Sequence, residues 1–316
     1  MTLSWPSYEI IFRAMPNELL SICIPTRNRS RLLRDLLCSL DLEIVTAQLT
    51  PEDVRVYVSD NASTDDTQAT AQEILGKHPH FTYWCNEQNI GAVGNVLACA
   101  AKVPGRYQWI IGDDECVVAG ILPKLLAQLR EHQPGWFIHS DGQYGRALKP
   151  PRTFATVDEF VRAAASADPG ILMTAGTISL NTFRSDCFDH SLAQSLEPTS
   201  TYAHFYGLMN GLHRVGAAVI LADRPTIVVR PIRPRPADGE LPANSDRNWL
   251  DCMLWLKDTF KMPQLDPEIQ SRVVSQEWLR QLCRHPWQTF RNNLALFLIL
   301  ETYPRIFKRL WYLLKR

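Results

Sequence analysis

The first 140 residues alternate between a strand pattern and a helix pattern, and no other feature of this 316-residue sequence limits the fold as strongly. Residues 19–25 form a continuous apolar run, which is typical of a strand covered on both faces. The leucines between Leu32 and Leu40 then recur at helical spacing, with charged residues between them. Further strands, each followed by a helix, are predicted at 54–58, 81–85 and 107–111. The order βαβαβαβα predicts an α/β fold with a mostly parallel sheet flanked by helices.

The remainder of the chain divides at residues 231–242, a stretch that contains four prolines. Before it, the pattern predicts strands at 136–140, 178–183, 217–221 and 226–230 and a helix at 202–212. After it, helical patterns cover residues 246–260, 268–282, 289–300 and 305–314. We therefore expect an α/β domain over residues 1–232 and a helical C-terminal region over residues 233–316.

The charge balance and the cysteines exclude several classes of protein. Lys and Arg number 33, and so do Asp and Glu, so the chain lacks the net positive charge of a general nucleic-acid binder. Eight scattered cysteines without a CxxC pair favour buried, reduced thiols over a disulfide framework or a zinc site. The N-terminal sequence lacks the apolar core of a secretory signal, and the apolar run at 294–300 is shorter than the ~20 residues that span a bilayer. We expect a cytoplasmic protein.

The C-terminal segment, residues 304–316, carries five basic residues and no acidic one. Its apolar residues fall on one side of a helix, a pattern typical of helices that lie on anionic membranes. The segment therefore predicts peripheral contact with the inner face of the cytoplasmic membrane. The alternative is a helix that packs on the domain or on the partner in a homodimer.

Three polar clusters directly follow predicted strands, at residues 25–29, 59–66 and 112–115. Ligands of open α/β sheets bind where the strands end at their carboxyl edge. Asp, Asn, Ser and Thr are also common in turns and helix caps, and Ser63 with Asp66 resembles a capping box at the start of the second helix. The clusters therefore predict either a polar ligand site or ordinary loops.

The acidic run Asp113-Asp114-Glu115 favours the ligand site, because three adjacent acids repel one another unless a cation relieves them. Mg²⁺ and Mn²⁺ are hard cations that take one or two carboxylates together with water and phosphate oxygens. The sequence contains neither GxGxxG nor GxxxxGK[ST], so neither a classical dinucleotide fold nor a P-loop is supported.

Four motifs in order, LLSICIPTRNRSRLLRDLLCSL, VRVYVSDNASTDDT, NIGAVGNV and WIIGDDE, resemble the inverting family 2 glycosyltransferases of the GT-A fold. The resemblance is greatest to bacterial enzymes of O-antigen, capsule or exopolysaccharide synthesis, the abequosyltransferase-like group. It covers residues 19–130 and extends weakly to about 232. The fold it implies is a GT-A, Rossmann-like sheet.

The resemblance implies a nucleotide-sugar site at the carboxyl edge of the sheet. The residues that it assigns to the nucleotide pocket are Pro25, Thr26, Asn28, Asp60, Asn61, Ser63, Asn89, Gly91 and Asn95. Arg29 would reach the diphosphate, or would be a solvated arginine at the start of a helix. Asp113, Asp114 and Glu115 correspond to the DxD signature that holds Mn²⁺ or Mg²⁺, with Glu in place of the usual final Asp. This change leaves open which acid binds the metal.

The resemblance also implies a metal-dependent displacement at the anomeric carbon with inversion, in which a base takes the proton of the acceptor hydroxyl. The Glu-Asp pair that usually supplies this base is missing from residues 196–204. His204 is one candidate because its ordinary pKa suits a base at neutral pH. Glu197 is the competing candidate, and Asp189 is a third. Related enzymes often close a loop over the diphosphate, which would place Arg233 on the donor, with Arg230 and Arg235 nearby; a solvated basic linker is the alternative.

These implications leave the substrates open. The donor is linked to UDP, GDP, CDP or dTDP, and the acceptor is a glycan or a polyprenyl-diphosphate-linked sugar. A sugar-nucleotide pyrophosphorylase is an alternative enzyme, although PTRNRS lacks the glycines of the phosphate loop typical of that class. The missing Glu-Asp pair also fits a non-catalytic scaffold that has kept the fold.

Overall fold

The computed structural model describes residues 18–75, 79–140, 152–167, 169–229 and 245–265. Two compact units make up the chain, and they divide at residue 240, with residues 165–169 grouped in the second unit. The predicted boundary between residues 232 and 233 lies outside the described residues and stays a prediction.

Ten strands and nine α-helices occur in the described residues. The strands are β1 Leu20–Thr26, β2 Val54–Asp60, β3 Phe81–Cys85, β4 Tyr107–Ile110, β5 Glu115–Val117, β6 Trp136–Ile138, β7 Thr153–Phe154, β8 Asn181–Arg184, β9 Val219–Leu221 and β10 Ile227–Val229. The helices are α1 Ser30–Thr46, α2 Thr67–Leu75, α3 Gly91–Lys102, α4 Ile121–His132, α5 Val157–Ala167, α6 Met173–Gly176, α7 His190–Leu196, α8 Ala203–Val215 and α9 Ser245–Phe260.

The central sheet has eight strands in the order β3-β2-β1-β4-β8-β6-β9-β7. Strands β1 to β4 pair in parallel, as do β6 and β9, whereas β8 runs antiparallel to both of its neighbours. Strands β5 and β10 form a separate antiparallel pair, in which Glu115 stands opposite Val229. The predicted α/β class, a mostly parallel sheet flanked by helices, is confirmed.

The leucines of α1 bury one face of the sheet. Leu33, Leu36, Leu37 and Leu40 are fully buried against the apolar side chains of β1 and β2. Each such side chain contributes roughly 1.5–3 kcal/mol when it leaves water. This packing fixes α1 behind β1 and so fixes the turn between them at the carboxyl edge.

A buried carboxylate connects α1 to α4. Glu43 lies on the buried face of α1, where it accepts the N–H groups of Gly120 at 2.6 Å and Leu122 at 3.2 Å. These N–H groups start α4 and have no partner within their own helix, so a negative charge there is favourable. The leucine spacing from Leu32 to Leu40 ends before Glu43 and gives no sign of this cap.

One predicted strand is partly wrong. Residues 178–183 were expected to be extended, but Ile178–Leu180 form a 3₁₀ turn and the strand runs from Asn181 to Arg184. The carbonyls of this turn accept hydrogen bonds from neighbouring parts of the chain, which stabilises the turn. The Ser179 carbonyl accepts the indole N–H of Trp109, and the Leu180 carbonyl accepts the N–H of His139.

The described cysteines are all free thiols, as expected for a reduced protein. Cys23, Cys99, Cys187 and Cys252 are buried, but Cys38 and Cys85 are exposed, so the expectation of buried thiols holds for only part of the set. Each of the exposed cysteines lies on an element with a solvent-facing side, α1 or the edge strand β3.

In the second unit the structure describes α9, which follows the predicted helix 246–260 closely. Its buried residues include Cys252, Met253 and Leu256. The three later predicted helices and the basic segment 304–316 lie outside the described residues. Among the helices that the structure describes, none is both long and apolar enough to cross a membrane.

Candidate functional site

The three polar clusters meet at the carboxyl edge of β1, β2 and β4. Strand β1 lies between β2 and β4, and Thr26 at its end stands opposite Asp60 of β2. The Thr26 hydroxyl donates to Oδ2 of Asp113 at 2.7 Å, and the Thr26 carbonyl accepts the N–H of Asn61 at 2.9 Å. Pro25, one residue earlier in β1, is half-buried. The structure therefore brings together clusters that are about 90 residues apart in sequence.

Asp113 is buried and both of its carboxylate oxygens are engaged. Oδ1 accepts from Nη1 of Arg29 at 2.7 Å, while Oδ2 accepts from Thr26. Burial raises the pKa of Asp113 to about 6, against the lowering influence of Arg29 and Thr26. Asp113 therefore ties the acidic turn to the turn after β1, and Arg29 is held by this ion pair.

Asp114 is half-buried and its carboxylate folds back over the preceding turn. A Cβ placed on Gly112 would stand only 2.7 Å from Oδ1 of Asp114. Any side chain at position 112 would therefore displace the Asp114 carboxylate. Glycine at this position keeps the close approach possible.

Glu115 occupies a third environment. It is buried, begins β5 and donates its backbone N–H to the Gly112 carbonyl at 3.2 Å. Among the described residues, no three His, Cys, Asp or Glu side chains form a preassembled metal cluster. One carboxylate is nevertheless sufficient when phosphate and water oxygens complete the shell of Mg²⁺ or Mn²⁺. The oxygen donors fit such a cation, and Asp114 is the acid that reaches solvent.

Asp60 is also buried with partners on both oxygens. Oδ2 accepts the hydroxyl of Tyr83 at 2.7 Å, and Oδ1 accepts the N–H of Ser63 at 2.9 Å. Burial and the Asp60 carboxylate raise the pKa of Tyr83, which keeps its hydroxyl a donor. Tyr83 was missed in the sequence, although its alternate position in β3 opposite Val58 gives it the same face as Asp60.

Asn28 joins the first polar turn to the second. Its backbone is left-handed, with φ of 52°, a conformation that Asn tolerates better than most residues. Its N–H donates to Oγ of Ser63 at 2.9 Å, and its side-chain oxygen accepts the N–H of Thr64 at 2.8 Å. The predicted capping box is wrong, because the Ser63 hydroxyl accepts the N–H of Asn28 and does not cap a helix. Helix α2 begins at Thr67, whose N–H donates to the Asp65 carboxylate.

Two asparagines hold the loop before α3. Asn61 donates to the Asn89 side chain at 2.7 Å and to the Gly91 carbonyl at 3.1 Å. Asn95 accepts the Ser59 hydroxyl at 2.7 Å and donates to the Ser59 carbonyl at 3.0 Å. Asn61 and Asn95 are buried, whereas Asn89 and Gly91 are exposed. Asn89 and Gly91 are therefore accessible to a ligand, and the buried Asn61 and Asn95 hold the loop in place.

Arg27 is a further site residue that the sequence reading passed over. Its Nε is shielded from solvent and has no hydrogen-bond partner in the described part of the chain, whereas Arg29 two residues later is paired with Asp113. The sequence feature that could have identified Arg27 is its position in the same polar turn after β1. Arg233 was predicted to cover the diphosphate, and it lies outside the described residues, as do Arg230 and Arg235.

Glu197 lies at the end of α7, beside α3. A Cβ placed on Gly94 would be 3.5 Å from Oε1 of Glu197, so the carboxylate lies within one turn of Asn95 and Gly91. Glu197 is half-buried, and burial raises its pKa. A carboxylate with a raised pKa is a better proton acceptor than an ordinary one.

His204 and Asp189 have structural partners. Nε2 of His204 contacts the Gly176 carbonyl at 3.0 Å, so this nitrogen carries the proton and Nδ1 keeps the lone pair. Burial lowers the pKa of His204, which keeps the ring neutral. Asp189 caps α7 by accepting the Leu192 N–H at 3.0 Å, and this bond lowers the pKa of Asp189. His204 thus keeps the ability to accept a proton, and Asp189 is a poor base.

A buried histidine lies beneath the site. His139 stacks on Trp109 with ring centroids 4.1 Å apart, and its ring nitrogens contact the hydroxyls of Thr226 at 3.1 Å and Thr182 at 2.7 Å. The Thr226 hydroxyl donates to the Ser140 carbonyl, so it accepts from Nδ1 of His139. Burial lowers the pKa of His139 to about 3.

This pKa predicts a loss of stability in mild acid. In the unfolded chain His139 takes up a proton near its ordinary pKa of ~6.5, whereas in the folded chain it stays neutral. The stability of the fold is therefore unaffected by this group above pH ~6.5, and it decreases as the pH drops below that value. Between pH 7 and pH 5 the loss is about 2 kcal/mol of unfolding free energy. Urea denaturation at the two pH values measures the unfolding free energy of the wild type and of His139→Asn. The prediction is that this free energy falls more steeply from pH 7 to pH 5 in the wild type than in the variant. His132→Asn, at an exposed histidine, is the control. An equal change in unfolding free energy between the two pH values in all three proteins would contradict the prediction.

Comparison with known proteins gives a family match and two curated relatives. The model of the family described as Glycosyl transferase family 2 matches residues 21–186. Abequosyltransferase RfbV of Salmonella typhimurium is 34% identical over 113 residues, which are 35% of this chain and 32% of that protein. The GalNAc(5)-diNAcBac-PP-undecaprenol beta-1,3-glucosyltransferase of Campylobacter jejuni is 26% identical over 113 residues, 35% of each chain. The chain thus matches about a third of the length of these relatives.

Solved structures resemble the fold at lower identity. S. aureus TarS 1-349 in complex with UDP-GlcNAc matches 87% of this chain and 76% of its own, with 13% identity and a TM-score of 0.55. Mannosyltransferase PcManGT from Pyrobaculum calidifontis, in complex with GDP-Man and Mn²⁺, matches 93% of this chain and 83% of its own, with 15% identity and a TM-score of 0.50. At these identities the likeness shows the fold alone, and it confirms the expected GT-A fold.

Proposed function

Since this chain belongs to glycosyl transferase family 2, we propose that it is an inverting glycosyltransferase that acts on a nucleotide-sugar. It moves one sugar to a glycan or polyprenyl-diphosphate-linked acceptor in the synthesis of a bacterial surface polysaccharide. The observation that carries the proposal is the junction of Asp113 with Thr26 and Arg29, which sets the acidic turn beside the turn after β1.

The donor binds across the ends of β1, β2 and β4. Asp60 retains lone pairs beyond those used by Tyr83 and Ser63, so it accepts hydrogen bonds from the base or the ribose. The exposed Asn89 and Gly91 border the same pocket, with Asn61 and Asn95 behind them. The donor class has support in the two structural neighbours, whose structures contain UDP-GlcNAc and GDP-Man.

The acidic turn and Arg27 would both act on the diphosphate of the donor. Asp114 would hold Mn²⁺ or Mg²⁺, with Asp113 and Glu115 shaping the turn around it. When bound, such a cation neutralises charge on the departing diphosphate. The guanidinium of Arg27, whose shielded Nε has no hydrogen-bond partner among the described residues, adds a second positive charge.

Glu197 is the proposed base, and His204 is its alternative. The acceptor oxygen attacks the anomeric carbon as its proton passes to Glu197, and the bond to the diphosphate oxygen breaks with its electron pair leaving on the diphosphate. The position of Glu197 over Gly94 of α3 and its raised pKa support this role. His204 is neutral with its lone pair on Nδ1, so it can take the same proton, but burial lowers its pKa and makes it the weaker base.

Family membership argues against the sugar-nucleotide pyrophosphorylase, since that class lies outside glycosyl transferase family 2. A non-catalytic scaffold would bind donor without turning it over. Contact of segment 304–316 with the inner face of the membrane, or with a second copy in a homodimer, stays a proposal about residues outside the described part.

A thermal-shift screen tests the donor site directly. We expect one of the UDP-, GDP-, CDP- or dTDP-sugars to raise the melting temperature, and to raise it further with Mn²⁺, because a ligand that binds only the folded chain stabilises it by about 2.7 kcal/mol at 100 times its Kd. Asp60→Asn should lose the shift, and Glu73→Gln, an exposed acid on α2, should keep it. If no nucleotide raises the melting temperature of the wild type, the proposed function is wrong; a shift without transfer would support the scaffold.

A further inference from the structure

Ser179 lies behind the acidic turn, and the mechanism above gives it no part. Its hydroxyl accepts the backbone N–H of Gly112 at 2.9 Å, and the side chain is buried. Gly112 directly precedes the acidic run, and a Cβ placed on it would meet both Oδ1 of Asp114 at 2.7 Å and Oγ of Ser179 at 3.5 Å. The Ser179 hydroxyl and the Asp114 carboxylate therefore both lie against this glycine.

Ser179 is itself held in place by the two rings beneath the site. The indole N–H of Trp109 donates to the Ser179 carbonyl at 2.8 Å, and Trp109 is fully buried and stacked on His139. The backbone N–H of His139 donates to the carbonyl of Leu180 at 2.8 Å. Because these groups belong to β4 and the chain after β6, the 3₁₀ turn that carries Ser179 has little freedom to move.

The exit from the acidic turn is fixed to the same histidine. The N–H of Val118, just after β5, donates to the carbonyl of Thr226 at 3.0 Å. The hydroxyl of Thr226 contacts Nδ1 of His139 at 3.1 Å. Both ends of the segment from Gly112 to Val118 are therefore connected to His139, the entry through Ser179 and Trp109 and the exit through Thr226.

We infer that Ser179 is a positioning residue whose hydroxyl fixes the acidic turn in the form that presents Asp114 to the cation and diphosphate of the donor. The inference rests on the proposed function and adds to it a residue that does not touch the donor. Without the hydroxyl, the half-buried N–H of Gly112 loses its acceptor and the turn shifts. Loss of a group bonded directly to a metal ligand weakens metal binding about 10–100-fold. Because Ser179 acts through the backbone of Gly112, we expect the lower end of that range.

The experiment compares three variants of the full chain with the wild type. Ser179→Ala removes the hydroxyl, and Ser179→Thr keeps it. Ser21→Ala is the matched control, because Ser21 is also a buried serine whose hydroxyl accepts a glycine N–H, from Gly105 at 2.8 Å, but at the amino end of β1. The two readouts are amide hydrogen exchange over residues 110–118 and binding of Mn²⁺ alone, measured from the free-ion signal in electron paramagnetic resonance.

We expect Ser179→Ala to speed exchange over residues 110–118 and to raise the Kd for Mn²⁺ by about 10-fold, with Ser179→Thr near the wild type. Ser21→Ala should leave both readouts over the acidic turn unchanged even where it lowers the melting temperature. An unchanged Mn²⁺ Kd in Ser179→Ala, or an equal rise in Ser21→Ala, would overturn the inference. A wild-type chain that binds no Mn²⁺ would instead contradict the metal in the proposed function, and the exchange rates would then decide whether Ser179 holds the turn.

Discussion

Replacing Asp114 with Asn is expected to slow sugar transfer about 10³-fold while the chain stays folded. The variant keeps the size of the side chain and removes the charge that holds the cation. A cation on the leaving diphosphate contributes several kcal/mol of transition-state stabilisation, and about 4 kcal/mol corresponds to that factor. Transfer measured with saturating donor and Mn²⁺, beside a denaturant melt of each protein, checks both halves of the expectation.

Asp113→Asn is the matched control for this prediction, because the neighbouring acid differs in environment. Asp113 is buried and paired with the half-buried Arg29, so Asp113→Asn breaks this ion pair and is expected to cost about 1–3 kcal/mol of stability. Asp114 is half-buried, and its substitution should change stability by less than about 0.5 kcal/mol. If Asp114→Asn retained full transfer, Asp114 would not be the residue that holds the cation.

Glu197→Gln is expected to lower kcat by about 10²–10⁴-fold with little change in the KM for donor, since a general base contributes this much to the chemical step. The pH profile should change as well. Because burial raises the pKa of Glu197, the wild-type rate falls as the pH drops through that pKa, where the carboxylate becomes protonated. The variant should lack this acid limb.

His204→Gln distinguishes the two base candidates. Gln keeps a donor for the Gly176 carbonyl but cannot take a proton at neutral pH, so this variant should retain most of the transfer rate if Glu197 is the base. The opposite result, a full loss in His204→Gln with an active Glu197→Gln, would assign the base to His204.

The part of the fold that the sequence predicted best is its parallel half. Strands β1 to β4 lie close to their expected positions, β1 because it is an apolar run and β2 because its valines alternate with other residues, and α1 follows its leucine spacing. The meeting of the three polar clusters also followed from strand order, since parallel strands end at one edge. The local hydrophobic pattern was enough to predict these elements, because each buries at least some of its apolar side chains in the core.

The partners within the site were not predictable from the sequence. Arg29 was expected either to reach the diphosphate or to be a solvated arginine at the start of a helix, and its pairing with Asp113, 84 residues away, was not foreseen. The partner that Arg29 takes depends on the direction of its side chain after the end of β1, and hydrophobic periodicity carries no information about that direction. Ser179 was missed for the same reason: it lies 67 residues from Gly112, in a segment whose pattern predicted a plain strand.

The antiparallel pair of β5 and β10 makes the acidic turn depend on a strand from a distant part of the sequence. Glu115 of the turn stands opposite Val229, and Val117 stands opposite Ile227. One residue inserted within β10 would shift this register and move its side chains to the other face. Such an insertion should therefore disturb the acidic turn without altering any residue of the turn itself.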